Sequence, residues 1–173
     1  MNIRPAVMGD LSAVYVLFEQ ELAYQKALID GKDWIPNLDW QKVINRKLTN
    51  PEERMWVAEL NGNLVGYLMG SLASASKPRP LRQWLQELRF GRRATAGNPT
   101  QLTGWIEDCF VLKEVRRQGI GSALVRAALS WFKENHVRRI ELGIWMANGH
   151  GQAFWERQGF LPVRIKMSKV LKS

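Results

Sequence analysis

The chain has 173 residues, 46% of them hydrophobic, and a formal charge of +9. That length and apolar share suit one domain (residues 1–173) that buries roughly 70% of its unfolded surface, and Cys109, the lone cysteine, excludes an internal disulfide framework. No apolar run nears the ~20 residues of a membrane span and Met1–Asp10 lacks a secretory signal, so the sequence reads as a cytoplasmic protein with a surface suited to polyanions such as nucleic acid, acidic membrane or a phosphate-rich cofactor.

Ile3 to Ala6 reads as a first strand. Asp10 is placed to cap a helix whose stripe is Leu11, Val14, Leu17, Phe18, Glu21 and Leu22. Asp30-Gly31-Lys32 breaks that helix, and Asp39 caps a second from Trp40 to Leu48. Strands are predicted at Arg54–Leu60 and Leu64–Leu72, joined by a turn at Asn61-Gly62-Asn63. Lys77–Arg93 carries six bases and one acid, with Leu81, Leu85 and Leu88 at helical spacing. Ala94–Gln101 reads as loop, and the basic insert as a whole spans about 77–98. Trp105–Leu112 is a strand, Gly119–His136 a helix and Arg139–Trp145 a strand. A helix from about Gly151 to Gln158 ends on Gly159, and strands at Phe160–Val163 and Ile165–Val170 close the chain. Charge is uneven: residues 1–40 hold three bases against six acids, a net −3, which leaves +12 to the rest.

The informative stretch is Val111 to Val125. A strand ends, Arg116 and Arg117 follow, and Gly119-Ile120-Gly121 opens a helix. Unpaired N–H groups and the helix dipole favour an anion there, glycine lets a phosphate come close, and arginines add charge-assisted donors. The run lacks the lysine of a P-loop, and Leu124 stands where a dinucleotide fingerprint wants glycine or alanine. The two histidines, His136 and His150, with Cys109 form no metal-binding pattern, and a lone strand cysteine is more often core than nucleophile.

Arg116-Arg117-Gln118-Gly119-Ile120-Gly121 resembles the Arg/Gln-x-x-Gly-x-Gly/Ala signature of the GNAT superfamily of N-acetyltransferases. Asn148, with Trp155-Glu156-Arg157-Gln158-Gly159-Phe160 beginning seven residues later, resembles that family's Asn-x6-Tyr-Glu-Lys-x-Gly-Phe block. The strand Ile106–Val111 looks most like that of spermidine/spermine N-acetyltransferases. The resemblance implies an α/β fold with a mixed, mostly antiparallel sheet flanked by helices on both faces. It also implies transfer of acetyl from acetyl-CoA to a primary amine of a cationic small molecule or a lysine, by direct attack and without a metal.

By the same resemblance, Cys109, Phe110 and Val111 pair their backbone with the pantetheine as an extra strand would, and the Val111 N–H faces the thioester carbonyl. Arg116, Arg117, Gln118, Gly119, Ile120, Gly121 and Ser122 hold the diphosphate, while Asn148 and Trp155 contact the cofactor. Glu107 stands where similar polyamine enzymes have a base. Asp108 is the alternative, and it points to the other face if the strand is regular. Trp155 departs from the family's tyrosine: indole is a donor and a very poor acid, which suggests packing against the cofactor and opens the reading of a CoA-binding sensor that catalyses poorly. Tyr24, Trp34, Trp40 and the acids of the first 40 residues suit a cationic acceptor. For the basic insert, the acceptor cleft, a second subunit of a homodimer and an anionic surface remain alternatives. A nucleic-acid-binding module is the rival class, but no nucleic-acid motif supports it.

Overall fold

The computed structural model describes residues 1–28, 39–74, 102–165 and 167. Asp30-Gly31-Lys32, Trp34, the segments Lys77–Arg93 and Ala94–Gln101, and most of Ile165–Val170 lie outside the described residues.

The strands are β1 (Asn2–Pro5), β2 (Glu53–Leu60), β3 (Asn63–Ser74), β4 (Leu102–Val111) and β5 (Arg139–Leu142), and they lie in that order in one sheet. Neighbouring pairs are antiparallel from β1 to β4, and β5 joins β4 in parallel. The helices are α1 (Leu11–Leu28), α2 (Trp40–Thr49), α3 (Ile120–Glu134) and α4 (Gly149–Arg157). The β2–β3 hairpin turns on Asn61 and Gly62, both left-handed at φ 51° and 80°, the dihedrals a tight hairpin demands.

Each face of the sheet has its own core. On one side α3 sends Ile120, Leu124, Val125, Ala128, Trp131 and Phe132 onto Trp56, Ala58, Leu68 and Ile106, with Phe154 and Trp155 of α4 packed at the margin. On the other side Val14, Leu17 and Phe18 of α1 and Ile44 of α2 cover Met55, Val57, Tyr67, Met69 and Phe110. Strand alternation supplies both faces, since neighbours such as Trp56 and Val57 go to opposite cores.

Several predicted elements differ in detail. Asp10 lies in a short 3-10 turn (Met8–Asp10) before α1, where it accepts from Val7 N and pairs bidentately with Arg4 at 2.7 and 2.8 Å. Its carboxylate therefore ties β1 to the turn instead of capping α1. β5 stops at Leu142, short of Trp145. Phe160–Val163 is not a strand: Pro162 has no N–H for a ladder, no described strand lies alongside, and Leu161 and Val163 are exposed. Gly159 has the expected left-handed φ of 87°.

Candidate active site

β5 accompanies β4 only from Thr103 to Ile106. Beyond that point the two diverge, and the rest of β4 borders a cleft walled by α1, α3 and α4. Leu112 N–H donates to Val65 O at 2.9 Å, towards β3. N–H groups alternate sides along a strand, so Phe110 also turns its backbone to β3, opposite Tyr67. Cys109 and Val111 turn theirs to the open edge. Arg116 Nε reaches that edge and donates to Val111 O at 2.9 Å. Cys109 and Val111 thus border the cleft with backbone edges that no described strand pairs, although Val111 O accepts from Arg116, whereas Phe110, expected to pair its backbone there too, turns it to β3 and lies buried beneath Arg116.

The edge runs into the bend before α3. Arg117 is left-handed at φ 65°, uncommon for a residue with a Cβ, and Gly119 is left-handed at φ 79°. Gly119 is the N-cap and offers no side-chain bond. The first helical bond is Ala123 N to Gly119 O at 3.0 Å, so the amides of Ile120, Gly121 and Ser122 precede it and have no acceptor within the helix. Arg116, Arg117, Gln118 and Gly119 are exposed, whereas the Ile120 side chain is buried and contributes only its backbone. Ser122 Oγ accepts from Gln158 Nε2 at 3.1 Å, which ties α3 to the end of α4. An uncapped helix start beside a basic bend fits a diphosphate, and an open strand edge fits an amide-bearing arm. The residues present therefore fit coenzyme A.

The acidic wall holds the main surprise. Met69 stands opposite Asp108 and Gly70 opposite Ile106, so Glu107 is the extra residue of a β-bulge. The bulge overturns regular alternation: Glu107 and Asp108 both face the α1/α2 side. Glu107 pairs with Lys47 of α2 and accepts from Ser71 Oγ at 2.7 Å. Lys47, buried, also pairs with Glu53 at 2.7 Å. The Asp108 charge also acts on a buried carboxyl of α1, Glu21, which the sequence placed on the helix's apolar stripe. Tyr67 OH donates to Glu21 Oε2, and Gln25 Nε2 donates to Oε1 at 2.9 Å. Burial, then the Asp108 charge, push the Glu21 carboxyl up to about 8. The one available signal was an acid on an apolar stripe, a turn after Leu17 and Phe18.

Asn148 is the N-cap of α4, accepting from Gly151 N at 2.9 Å, and its Oδ1 also accepts from Tyr24 OH at 3.2 Å. Tyr24 lies beneath the Arg116 guanidinium, 5.3 Å from its ring centre, so α1 reaches across the cleft mouth to both the bend and α4. Trp155 stands edge-on between Phe154 and Phe160, with ring centres 5.0 and 5.2 Å away. Burial pushes the Cys109 thiol well up, as do the Glu21 and Asp108 charges, so it stays protonated. His136 and His150 are exposed. Among the described residues no group of three or more His, Cys, Asp or Glu could hold a metal, and no helix is long and apolar enough to cross a membrane.

Comparisons with known proteins give the family and the fold. Residues 14–160 match the model of the acetyltransferase (GNAT) family, and the chain belongs to that family. Over 116 residues it is 28% identical to an N-alpha-acetyltransferase of Sulfurisphaera tokodaii, a match covering 66% of this chain and 60% of that relative. The match therefore spans less than two thirds of the curated relative's length. A tetramutant of the BH1408 protein from Bacillus halodurans has a similar structure, with TM-score 0.76 and 21% identity over 99% of this chain and all of that one. A predicted acetyltransferase from Clostridium acetobutylicum, solved with acetyl-CoA, gives TM-score 0.69 and 20% identity over 98% and 95% of the two chains. At such identities the likeness is one of fold.

Proposed function

We propose that this protein is an N-acetyltransferase that delivers the acetyl group of acetyl-CoA to a primary amine by direct attack. The observation that carries the reading is the open β4 edge at Cys109 and Val111 running into the uncapped start of α3. Family membership and the acetyl-CoA in a structure of this fold support it.

Bound there, acetyl-CoA supplies an activated acyl group. The bend from Arg116 through Gln118 to Gly121, with Ser122, holds the diphosphate. Cys109 and Val111 pair with the pantetheine arm, Asn148 and Trp155 flank it, and Phe110 backs it from the core. Val111 N–H is a fixed donor for the charge that develops on the reacting carbonyl oxygen.

The acceptor enters from the α1 side, where Glu107, Asp108 and Tyr24 lie. A lysine-like amine must lose a proton first, at a cost of about 4.6 kcal/mol at pH 7. Glu107 and Asp108 are the candidates to relay it; Glu107 also holds Lys47 and accepts from Ser71. Trp155 provides no acid. A thiol with a pKa near 8.5 leaves as thiolate at a cost of only about 2 kcal/mol at neutral pH, which keeps the reaction feasible. The acidic wall favours a cationic acceptor; a polyamine follows from the likeness of Ile106–Val111, and the curated relative's name adds an N-terminal amine to the candidates. Trp155 also favours a second reading, a CoA-binding sensor with weak transfer.

Thermal melting with acetyl-CoA, CoA and ATP tests the cofactor. Acetyl-CoA at ~100 times its Kd raises stability by about 2.7 kcal/mol, and ATP does not. A thiol-release screen over polyamines, aminoglycosides, lysine peptides and N-terminal peptides follows. Turnover confined to neutral or acidic acceptors contradicts the cationic assignment. Stabilisation without any turnover favours the sensor, and no stabilisation contradicts both readings.

A further inference from the structure

Arg116 and Arg117 are neighbours that the chain uses differently. Arg117 turns left-handed at φ 65° within the bend. Arg116 closes the short 3-10 turn Lys113–Val115 in an extended conformation, at φ −65° and ψ 162°. Its side chain folds back over the end of β4, where Nε donates to Val111 O at 2.9 Å. The guanidinium carbon lies 5.3 Å from the centre of the Tyr24 ring and 5.8 Å from that of Phe110. Both distances are within the roughly 6 Å over which an aromatic face attracts a cation. The rings are themselves held: Phe110 is buried in the α1/α2 core, and the Tyr24 hydroxyl donates to Asn148 Oδ1 at 3.2 Å. Helices α1 and α4, strand β4 and the bend thus meet around one guanidinium.

A strand residue directs its N–H and its C=O to the same side. Val111 is the last residue of β4, and β5 has left its edge by then. Arg116 holds the carbonyl of that last residue, so the Val111 N–H keeps a fixed direction into the cleft. The same bond closes the span from 111 to 116, which separates the strand edge from the bend. A cofactor gripped at both places fits only if their spacing is fixed. We infer that Arg116 is a positioning residue for acetyl transfer: its side chain acts through Val111 and sets that N–H where a cofactor held by its diphosphate presents its thioester carbonyl. The inference rests on the acetyl-transfer reading. It gives the Arg116 side chain to the strand edge and leaves the diphosphate to the backbone of the bend. Arginine suits the task, because a flat guanidinium stacks on rings while an N–H in its plane reaches a carbonyl; an ammonium has no such plane.

The test is difference infrared spectroscopy of acetyl-CoA, isotope-labelled at its carbonyl carbon, bound to the whole protein. Kd by titration calorimetry and kcat with the fastest amine of the thiol-release screen accompany it. In the wild type the thioester carbonyl stretch lies below that of free acetyl-CoA. Arg116→Met keeps the stem and removes the donor and the charge. It returns the stretch to the free value and lowers kcat roughly tenfold to a hundredfold, the cost of a misplacement of about 1 Å, while Kd changes far less. Arg116→Lys behaves as Arg116→Met does. Tyr24→Leu leaves Arg116 in place and removes one ring, so the stretch moves part of the way; Tyr24→Phe keeps the ring and the wild-type stretch. A wild-type stretch in Arg116→Met overturns the inference. So does a Kd that rises in Arg116→Met and is restored in Arg116→Lys, the mark of a phosphate contact. A carbonyl of the bound wild type that stays at the free value overturns it as well, and in all three cases acetyl transfer by the wild type stands. A wild type that binds no acetyl-CoA overturns both.

Discussion

The two faces of the sheet solve different problems. The α3 face is built of apolar side chains, from Trp56 to Phe132, and its chemistry is assigned to backbone: the Val111 edge, the left-handed Gly119 and the amides after it. The α1/α2 face buries Asp10, Glu21, Lys47 and Ser71 among its apolar residues, and its chemistry is assigned to side chains. A cofactor with a fixed diphosphate can be held by a rigid backbone shape. An amine acceptor needs charge, and charge inside a protein must be held in pairs.

The largest expected effects come from breaking each core in its own currency. Phe132→Ala removes a fully buried ring and costs about 3–5 kcal/mol. Lys47→Met leaves Glu53 and Glu107 without their shared cation and also costs about 3–5 kcal/mol. Urea unfolding separates the two by coupling. The Lys47→Met loss shrinks when Glu107→Gln is added, and the Phe132→Ala loss does not.

A smaller effect falls on the cofactor. A methyl at Gly119 meets nothing within 4 Å, so only the φ of 79° opposes it. Gly119→Ala therefore costs about 1–2 kcal/mol as dihedral strain. The bend relaxes, and the Kd for acetyl-CoA by titration calorimetry rises roughly tenfold, while amine binding to the free protein stays as it was. The gentlest effect is a slope. Glu21 titrates above its ordinary 4.5 in the folded state, so its neutral form contributes stability that is whole below about 4.5 and lost as pH rises through about 8. Glu21→Gln flattens the fall in melting temperature between those values.

The same division explains what the sequence disclosed. The bend was legible because glycines and arginines at fixed spacing before a helix are a local signal, and the Asn148 cap and the Asn61-Gly62 turn are local too. The acidic wall was not. Lys47 in α2 reads as an ordinary exposed lysine, and only the approach of β2 and β4 makes it a bridge. The bulge that turns Glu107 and Asp108 to one face depends on where β3 pairs, which no window within β4 encodes. The tail after Phe160 alternates apolar residues, yet pattern alone did not make a strand of 160–163, because Pro162 has no N–H for a ladder and no described strand lies alongside.

Amide hydrogen exchange with and without acetyl-CoA tests the central claim most directly. The account predicts slower exchange at Cys109, Val111, Gly121 and Ser122 on adding the ligand, with Phe110 and Leu112 unchanged because β3 already holds them. Protection that spares Val111 and the first turn of α3, or that appears on β1 instead, contradicts it.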